Sequence, residues 1–234
     1  MSKIIIIPTY NEIENIEKII RKVFSLGEDF HILIVDDGSP DGTATTVKQL
    51  QNEYTNKLFI LERKGKQGLG TAYIAGFKWS LSQGYEYIFE MDADFSHNPD
   101  DLIRLYNACH IDGFDIAVGS RYVTGGKVEN WPMNRIFISY GASVYLRLIT
   151  WMPVNDCTAG FVCYKREVLE AIELDNIRFI GYAFQIEMKY RAWRKKFRIK
   201  EVPITFVDRK EGISKMTKGI VKEAILGVWK MRFS

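Results

Sequence analysis

Tyr85-Glu86-Tyr87-Ile88-Phe89-Glu90-Met91-Asp92-Ala93-Asp94 is an apolar run that ends in two aspartates one residue apart. Such a run suits a buried strand, whose period of two points Asp92 and Asp94 the same way at its carboxyl end. Open parallel sheets place their ligands at that end. Two adjacent carboxylates repel unless something positive lies between them, and a hard divalent cation that also holds a substrate's phosphates meets that need. The same residues also suit a polar strand end followed by a helix cap, so the surrounding elements must decide.

Upstream of this run, strands and helices alternate. Ile4 to Ile7 is β-branched, Pro8 closes it, and Asn11-Glu12 opens a segment whose apolar residues Ile13, Ile16, Ile19, Ile20 and Val23 fall at helical spacing. His31 to Val35 repeats the strand pattern, Asp36-Asp37-Gly38-Ser39-Pro40-Asp41-Gly42 is a dense turn signal, and Thr43 to Tyr54 suits a helix. Leu58 to Leu61 reads as a third strand. The loop Gly65 to Gly70 comes next, then a helix over Thr71 to Ser82 with Ala72, Ala75 and Gly76 on a small-residue face.

Downstream, Asn98 reads as the cap and Pro99 as the first position of a helix reaching Cys109, and Asp115 to Gly119 as another buried strand. This alternation implies right-handed crossovers and a mostly parallel, Rossmann-like α/β sheet flanked by helices on both faces. Past residue 120 the pattern loosens. A glycine loop (Gly125, Gly126), a helix over Asn134 to Trp151, a turn over Asp156 to Gly160, a strand over Phe161 to Tyr164, a helix over Ala183 to Trp193 and an alternating strand over Ile199 to Val207 are expected. The stretch Lys218 to Phe233 reads as an amphipathic helix with lysines between its apolar positions.

The 234 residues, 47% hydrophobic and 26% charged, suit a soluble globular fold expected to form a single domain over 1–234. The net charge of +3 makes no demand for nucleic acid. Cys109, Cys157 and Cys163 form neither a CxxC pair nor an even set, which argues against a zinc site or a disulfide framework and for a reducing cytoplasm. No window approaches the ~18 apolar residues of a spanning helix, so membrane contact is expected to be peripheral or borrowed from a partner subunit.

Acidic residues succeed strands one, two and four: Glu12, then Asp36 and Asp37, then Asp92 and Asp94. A parallel sheet brings these endings to one edge, where they line one crevice. Taken singly, Glu12 also suits a helix's first turn, and Asp36 and Asp37 suit turn chemistry. The Gly65-to-Gly70 loop can cradle phosphates on its amides, although it is neither a Walker loop nor a dinucleotide fingerprint.

Six blocks occur in the order seen in family 2 glycosyltransferases. They are Pro8-Thr9-Tyr10-Asn11-Glu12, Val35 to Gly42, Gly68 to Tyr73, Met91-Asp92-Ala93-Asp94, Gly119-Ser120-Arg121-Tyr122 and Asp208 to Lys215. More narrowly, the chain resembles the polyprenol (dolichol) phosphate mannose synthases over residues 4 to about 217. The resemblance implies a GT-A fold and inverting transfer of mannose from GDP-mannose to a polyprenyl phosphate with Mg2+ or Mn2+. It also implies a nucleotide-sugar half over 1–120, an acceptor half with a mobile loop over 121–217, and a carboxyl-terminal helix over 218–234.

Carried over by position, Pro8, Tyr10, Glu12, Val35 and Asp37 resemble a nucleoside pocket. Asp92 and Asp94 resemble the metal and diphosphate ligands, with Ala93 touching the donor. Arg121 resembles a sugar and phosphate contact, and Arg209 and Lys215 a basic pair in a loop that closes over the diphosphate. Asp94, Arg121 and Arg209 are the expected catalytic groups. Arg135 and Ser139, four apart on a predicted helix, match the acceptor-phosphate position.

Asp156 matches a block near the sugar and equally suits a turn. Ser96 departs from relatives that carry a glutamine there, so a third metal contact is not assured by the sequence. The Trp131, Phe137 and Tyr140 region and the tail with Trp229 and Phe233 suit a membrane interface at the cytoplasmic face, although the tail equally suits packing on the sheet. The alternatives are another donor such as UDP-glucose, a saccharide acceptor, a nucleotide-sugar-binding subunit without turnover, and an Asp-x-Asp phosphatase. The phosphatase reading is disfavoured because its pair more naturally sits after the first strand.

Overall fold

The computed structural model describes residues 2–181, 183–208, 227–229 and 231–232. β1 (Lys3–Thr9), α1 (Ile16–Phe24), β2 (Phe30–Asp36), α2 (Thr43–Leu50), β3 (Leu58–Glu62), α3 (Leu69–Ser82) and β4 (Tyr87–Glu90) alternate as the periodicities predict. Next come α4 (Asp101–His110), β5 (Ile116–Ser120), β6 (Lys127–Glu129), α5 (Met133–Thr150), β7 (Val162–Lys165), α6 (Arg166–Ile172), α7 (Ala183–Arg194), β8 (Ile199–Pro203) and β9 (Thr205–Val207).

The seven-stranded sheet has the order β3-β2-β1-β4-β7-β5-β8, and β1 lies parallel to both β2 and β4. β1 reads as an unbroken isoleucine run because both its faces are covered. Ile5 and Ile7 pack with the apolar stripe of α1 and with residues of α2 and α4, while Ile4 and Ile6 pack with α3, α6 and α7. Each such side chain contributes about 1.5–3 kcal/mol relative to exposure. A Cβ on Gly76 would lie 2.7 Å from Ile6 Cγ2, so the small face of α3 is what lets the helix sit this close to the sheet.

The order runs outward from β1 through β2 to β3, then returns across α3 to β4 on the other side of β1. The switch point lies between β1 and β4, and a crevice opens beyond their carboxyl ends. β7 is antiparallel to both β4 and β5, so the sheet is mostly parallel but mixed.

Four local expectations are corrected. β4 ends at Glu90, so Asp92 and Asp94 lie in an irregular segment rather than on the strand's pleat. The regular part of α4 begins at Asp101 rather than Pro99, because Pro99 and Asp100 form a tight first turn; Asn98 opens it as expected, its Oδ1 accepting the Asp100 N–H (3.1 Å). Ile199 to Val207 divides at Ile204 into β8 in the main sheet and β9 in a two-stranded sheet with β6, because the chain leaves the sheet edge there. Gly70 lies inside α3; a Cβ there would sit 2.8 Å from Phe184 Cδ2 and its N–H donates to Ile180 O (2.9 Å), so its smallness serves packing rather than a phosphate cradle. The expected tail helix over 218–234 falls largely outside the described residues.

Candidate active site

The carboxyl ends of β1 and β2 are bound together through Asp36. Its Oδ1 accepts from Thr9 Oγ1 (2.9 Å) and Ser39 Oγ (2.6 Å), and its Oδ2 accepts from Ser39 N (2.9 Å). Asp36 is therefore consumed in holding the edge. The N–H of Asp37 donates to Thr9 O (3.0 Å) while its carboxylate faces Arg63, whose Nε lies 2.8 Å from Oδ1. Burial raises the Asp37 carboxyl above its ordinary range, outweighing the opposing pull of Arg63 and the Gln67 N–H.

Beside this edge the β1–α1 turn is pinned from the next turn: Asn11 N donates to Ser39 Oγ and Glu12 N to Thr43 Oγ1, each at 3.0 Å. Pro8, Tyr10 and Glu12 are half-buried here, with the Lys66 ammonium 5.2 Å above the Tyr10 ring. Val35 lies fully buried beneath, its side chain part of the core.

Asp92 and Asp94 are half-buried on the far side of the switch point, with Ala93 buried between them. Tyr73 O–H points at Asp92 Oδ1 (3.5 Å), and Asp94 Oδ1 accepts from Ser96 N (3.0 Å). Phe95 between Asp94 and Ser96 adopts φ +58°, which turns the chain sharply. The Ser96 hydroxyl is buried without a hydrogen-bond partner among the described residues. His97 stacks on Phe161 (4.9 Å between centroids), and burial pushes its imidazole down to about 4, so it is neutral at pH 7. Among the described residues no three His, Cys, Asp or Glu side chains converge on one point. A cation held by the two aspartates would complete its shell from substrate oxygens and water, which suits Mg2+ or Mn2+.

Arg121 comes just after β5 and is gripped by Asp156. Its Nε and Nη2 donate to the two carboxylate oxygens at 2.7 and 2.6 Å, and its main-chain N–H donates at 2.9 Å. Burial alone would raise the Asp156 carboxyl, but the Arg121 charge and these hydrogen bonds hold it below the ordinary range. Glu201 on β8 accepts the N–H groups of Asn155 and Asp156 (2.8 and 2.9 Å) and so fixes the turn from beneath. The guanidinium of Arg121 lies against Tyr122, Trp131 and Phe206.

α5 brings Arg135 and Ser139 to the same place. Arg135 stacks on Trp131 at 4.0 Å and pairs with Asp208 at 2.9 Å, and Ser139 Oγ accepts from Tyr122 O–H at 2.7 Å. Arg121, Tyr122, Arg135 and Ser139 thus form one polar cluster. Arg209 and Lys215 lie outside the described residues. Sequence reasoning missed Arg63, Tyr122 and Asp208. Arg63 had a signal, as the first charge after β3 on the edge already marked by acids, whereas Asp208 had only its place in a matched block.

The family model described as Glycosyl transferase family 2 matches residues 4–173. The chain is 46% identical over 231 residues to polyprenol monophosphomannose synthase of Mycolicibacterium smegmatis, covering 98% of this chain and 87% of that protein. It is 45% identical over 228 residues to undecaprenyl-phosphate mannosyltransferase of Micrococcus luteus, covering 97% and 93%. In structure it resembles glucosyl-3-phosphoglycerate synthase of Mycobacterium tuberculosis, crystallised with Mn2+, uridine diphosphate and glucosyl-3-phosphoglycerate. There the TM-score is 0.74 at 14% identity, over 99% of this chain and 80% of that one. That likeness is one of fold, GT-A, while the sequence matches extend along almost the whole chain: this protein belongs to glycosyl transferase family 2 and is a glycosyltransferase.

Proposed function

We propose that the protein transfers mannose, with inversion, from GDP-mannose to a polyprenyl phosphate, and that the step depends on a divalent cation. The observation that carries this reading is the match, at 46% and 45% identity along nearly the whole chain, to two transferases named for mannose and a polyprenyl phosphate. The site's chemistry agrees with it. An acidic pair at the switch point suits a donor diphosphate, and a separate cluster of Arg121, Tyr122, Arg135 and Ser139 suits an anionic acceptor.

Asp92 and Asp94 would hold Mg2+ or Mn2+ against the diphosphate; their oxygen donors and the unpartnered Ser96 hydroxyl beside them fit a hard cation. When bound, the cation supplies charge neutralisation for the departing nucleoside diphosphate. Pro8, Tyr10, Glu12 and Asp37 form the nucleoside side of this reading, with the Val35 side chain packed in the core beneath them, and Ala93 and Arg121 the sugar side. Arg135 and Ser139 orient the acceptor phosphate once Asp208 gives up Arg135. A phosphate oxygen attacks the anomeric carbon opposite the leaving group. The new C–O bond forms as the bond to the diphosphate breaks, and that electron pair leaves with GDP. The attacking oxygen is already anionic, so no side chain need remove a proton. Arg209 and Lys215 complete the reading as counter-charges to the leaving diphosphate.

The acceptor lies in a bilayer, and among the described residues no helix is long and apolar enough to cross one. Peripheral binding at the cytoplasmic face, through the exposed apolar face of α5, or delivery by a membrane partner, accords with the acceptor's location. The test is direct: purified protein with Mn2+ or Mg2+ and a short polyprenyl phosphate is given GDP-mannose or UDP-glucose, and lipid-linked sugar is measured. Transfer from GDP-mannose is expected, and its absence overturns the reading. Asp94→Asn should lower kcat/KM at least about 100-fold; unchanged turnover would remove Asp94 from the cation site.

A further inference from the structure

Behind the aspartates lies a chain of buried polar side chains that the transfer reading leaves unused. Glu90 Oε2 accepts from Gln185 Nε2 at 2.5 Å, and Gln185 Oε1 accepts from Lys189 Nζ at 3.1 Å. Lys189 Nζ also donates to Ala159 O (2.6 Å) and Gln185 O (3.2 Å). Glu90 and Lys189 are fully buried and Gln185 nearly so. The three N–H bonds of one ammonium therefore meet three oxygens, the group's whole donor capacity.

Stability alone is a poor reason for such an arrangement. A buried charge is costly, and an apolar side chain of similar volume would extend the surrounding core of Phe184, Met188 and Ala192. What the lysine connects is more informative. On one side, through Gln185, it reaches Glu90, the last residue of β4 and two positions before Asp92. On the other it holds the carbonyl of Ala159, in the turn where Ala159 N donates to Asp156 O (3.3 Å) and Asp156 grips Arg121. Those two segments are distant in sequence and carry groups from opposite halves of the site.

On the reading that Asp92, Asp94 and Arg121 serve the transfer, we infer that Lys189 is a positioning residue, a buried strut on α7 that fixes the aspartate segment and the Arg121–Asp156 turn relative to each other. It touches no substrate. Its contribution is geometric, and misplacements of about 1 Å cost up to about 100-fold in rate.

The experiment separates geometry from charge compensation. Lys189→Met leaves Glu90 buried without a cation and should lower Tm. The double variant Lys189→Met with Glu90→Gln carries neither charge and should regain most of that Tm. Positioning predicts that the double variant still loses about tenfold to a hundredfold in kcat/KM and binds GDP with Mn2+ correspondingly more weakly by calorimetry. A double variant with restored Tm and with wild-type turnover and GDP binding overturns the inference. Should both proteins be insoluble, Gln185→Leu cuts the link to Glu90 while keeping the Lys189–Ala159 contact. It should show the same loss, and wild-type behaviour there counts equally against the strut. A wild-type protein that binds GDP with Mn2+ but transfers nothing overturns the functional reading, while the comparison of GDP binding still decides the inference.

Discussion

Asp156 is fully buried, accepts three hydrogen bonds from Arg121 and has its own N–H taken by Glu201. A buried pair of this kind adds little net stability over an apolar replacement, but removing one member leaves the other stranded. Asp156→Asn should therefore cost about 3–5 kcal/mol in urea unfolding at pH 7. The depressed carboxyl sets the sign with pH. Its stabilisation is present above the unfolded value of about 3.9 and is lost as pH falls through the lower folded value. The gap between wild type and Asp156→Asn should close below about pH 4. A gap that persists unchanged into acid would mean that the charge of Asp156 is not what the fold uses. In the sequence this aspartate fitted a turn and a site block equally well, because nothing local distinguishes a carboxylate that caps a turn from one that reaches Arg121, 35 residues away.

At the scale of elements, α5 stands apart. It buries only Ser143, Leu146 and Thr150, while Phe137, Ile138 and Leu148 on the helix and Trp151 at its end are 64–70% exposed. Three other helices spend their stripes on the sheet: Ile16, Ile19, Ile20 and Val23 of α1 are all fully buried, as are Phe77 of α3 and Met188 of α7. Apolar surface left on the helix that carries Arg135 and Ser139, with Arg232 4.3 Å over Trp151, is the composition of an interfacial contact. Exchanging Phe137 and Leu148 together for glutamate should weaken sedimentation with anionic vesicles at least about tenfold, since each side chain gains about 1.5–3 kcal/mol on burial. Stability should move by under about 0.5 kcal/mol per site, because both are exposed. Unchanged vesicle binding would direct attention to the tail or to a partner. The helix itself was legible from its pattern, and Phe137 and Tyr140 were expected at an interface; that Leu148 and Trp151 extend the exposed face was not legible, since a stripe of apolar residues reads the same whether or not the sheet covers it.

For the whole molecule, β1 lies between two parallel neighbours with helices on both faces, whereas β3 and β8 are edges and β6 and β9 form a separate two-stranded sheet. Amide exchange should respect that order. Peptides spanning 3–9, 30–36 and 87–90 should exchange only with global opening, and those spanning 127–129 and 205–207 fastest, by mass spectrometry. Early exchange in β1 would contradict a sheet organised around it.

By itself the sequence determined the alternating α/β plan, the strands and helices whose periodicity is plain, and the acids that close strands one, two and four. These are local facts: spacing encodes which residues face inward, and the residues that close a strand are its immediate neighbours in the chain. The six ordered blocks carried the family for the same reason. Tertiary structure alone decided that β7 enters antiparallel between β4 and β5, that Ile199 to Val207 divides between two sheets, and that Arg63, Asp156 and Lys189 are paired inside rather than solvated. A lysine on a helix looks like surface, and Lys189 is satisfied inside because the fold brings it Ala159 O and Gln185, whose side chain in turn reaches Glu90, 95 residues away. Charge pairing across such separations depends on which strands become neighbours, and no local period encodes that.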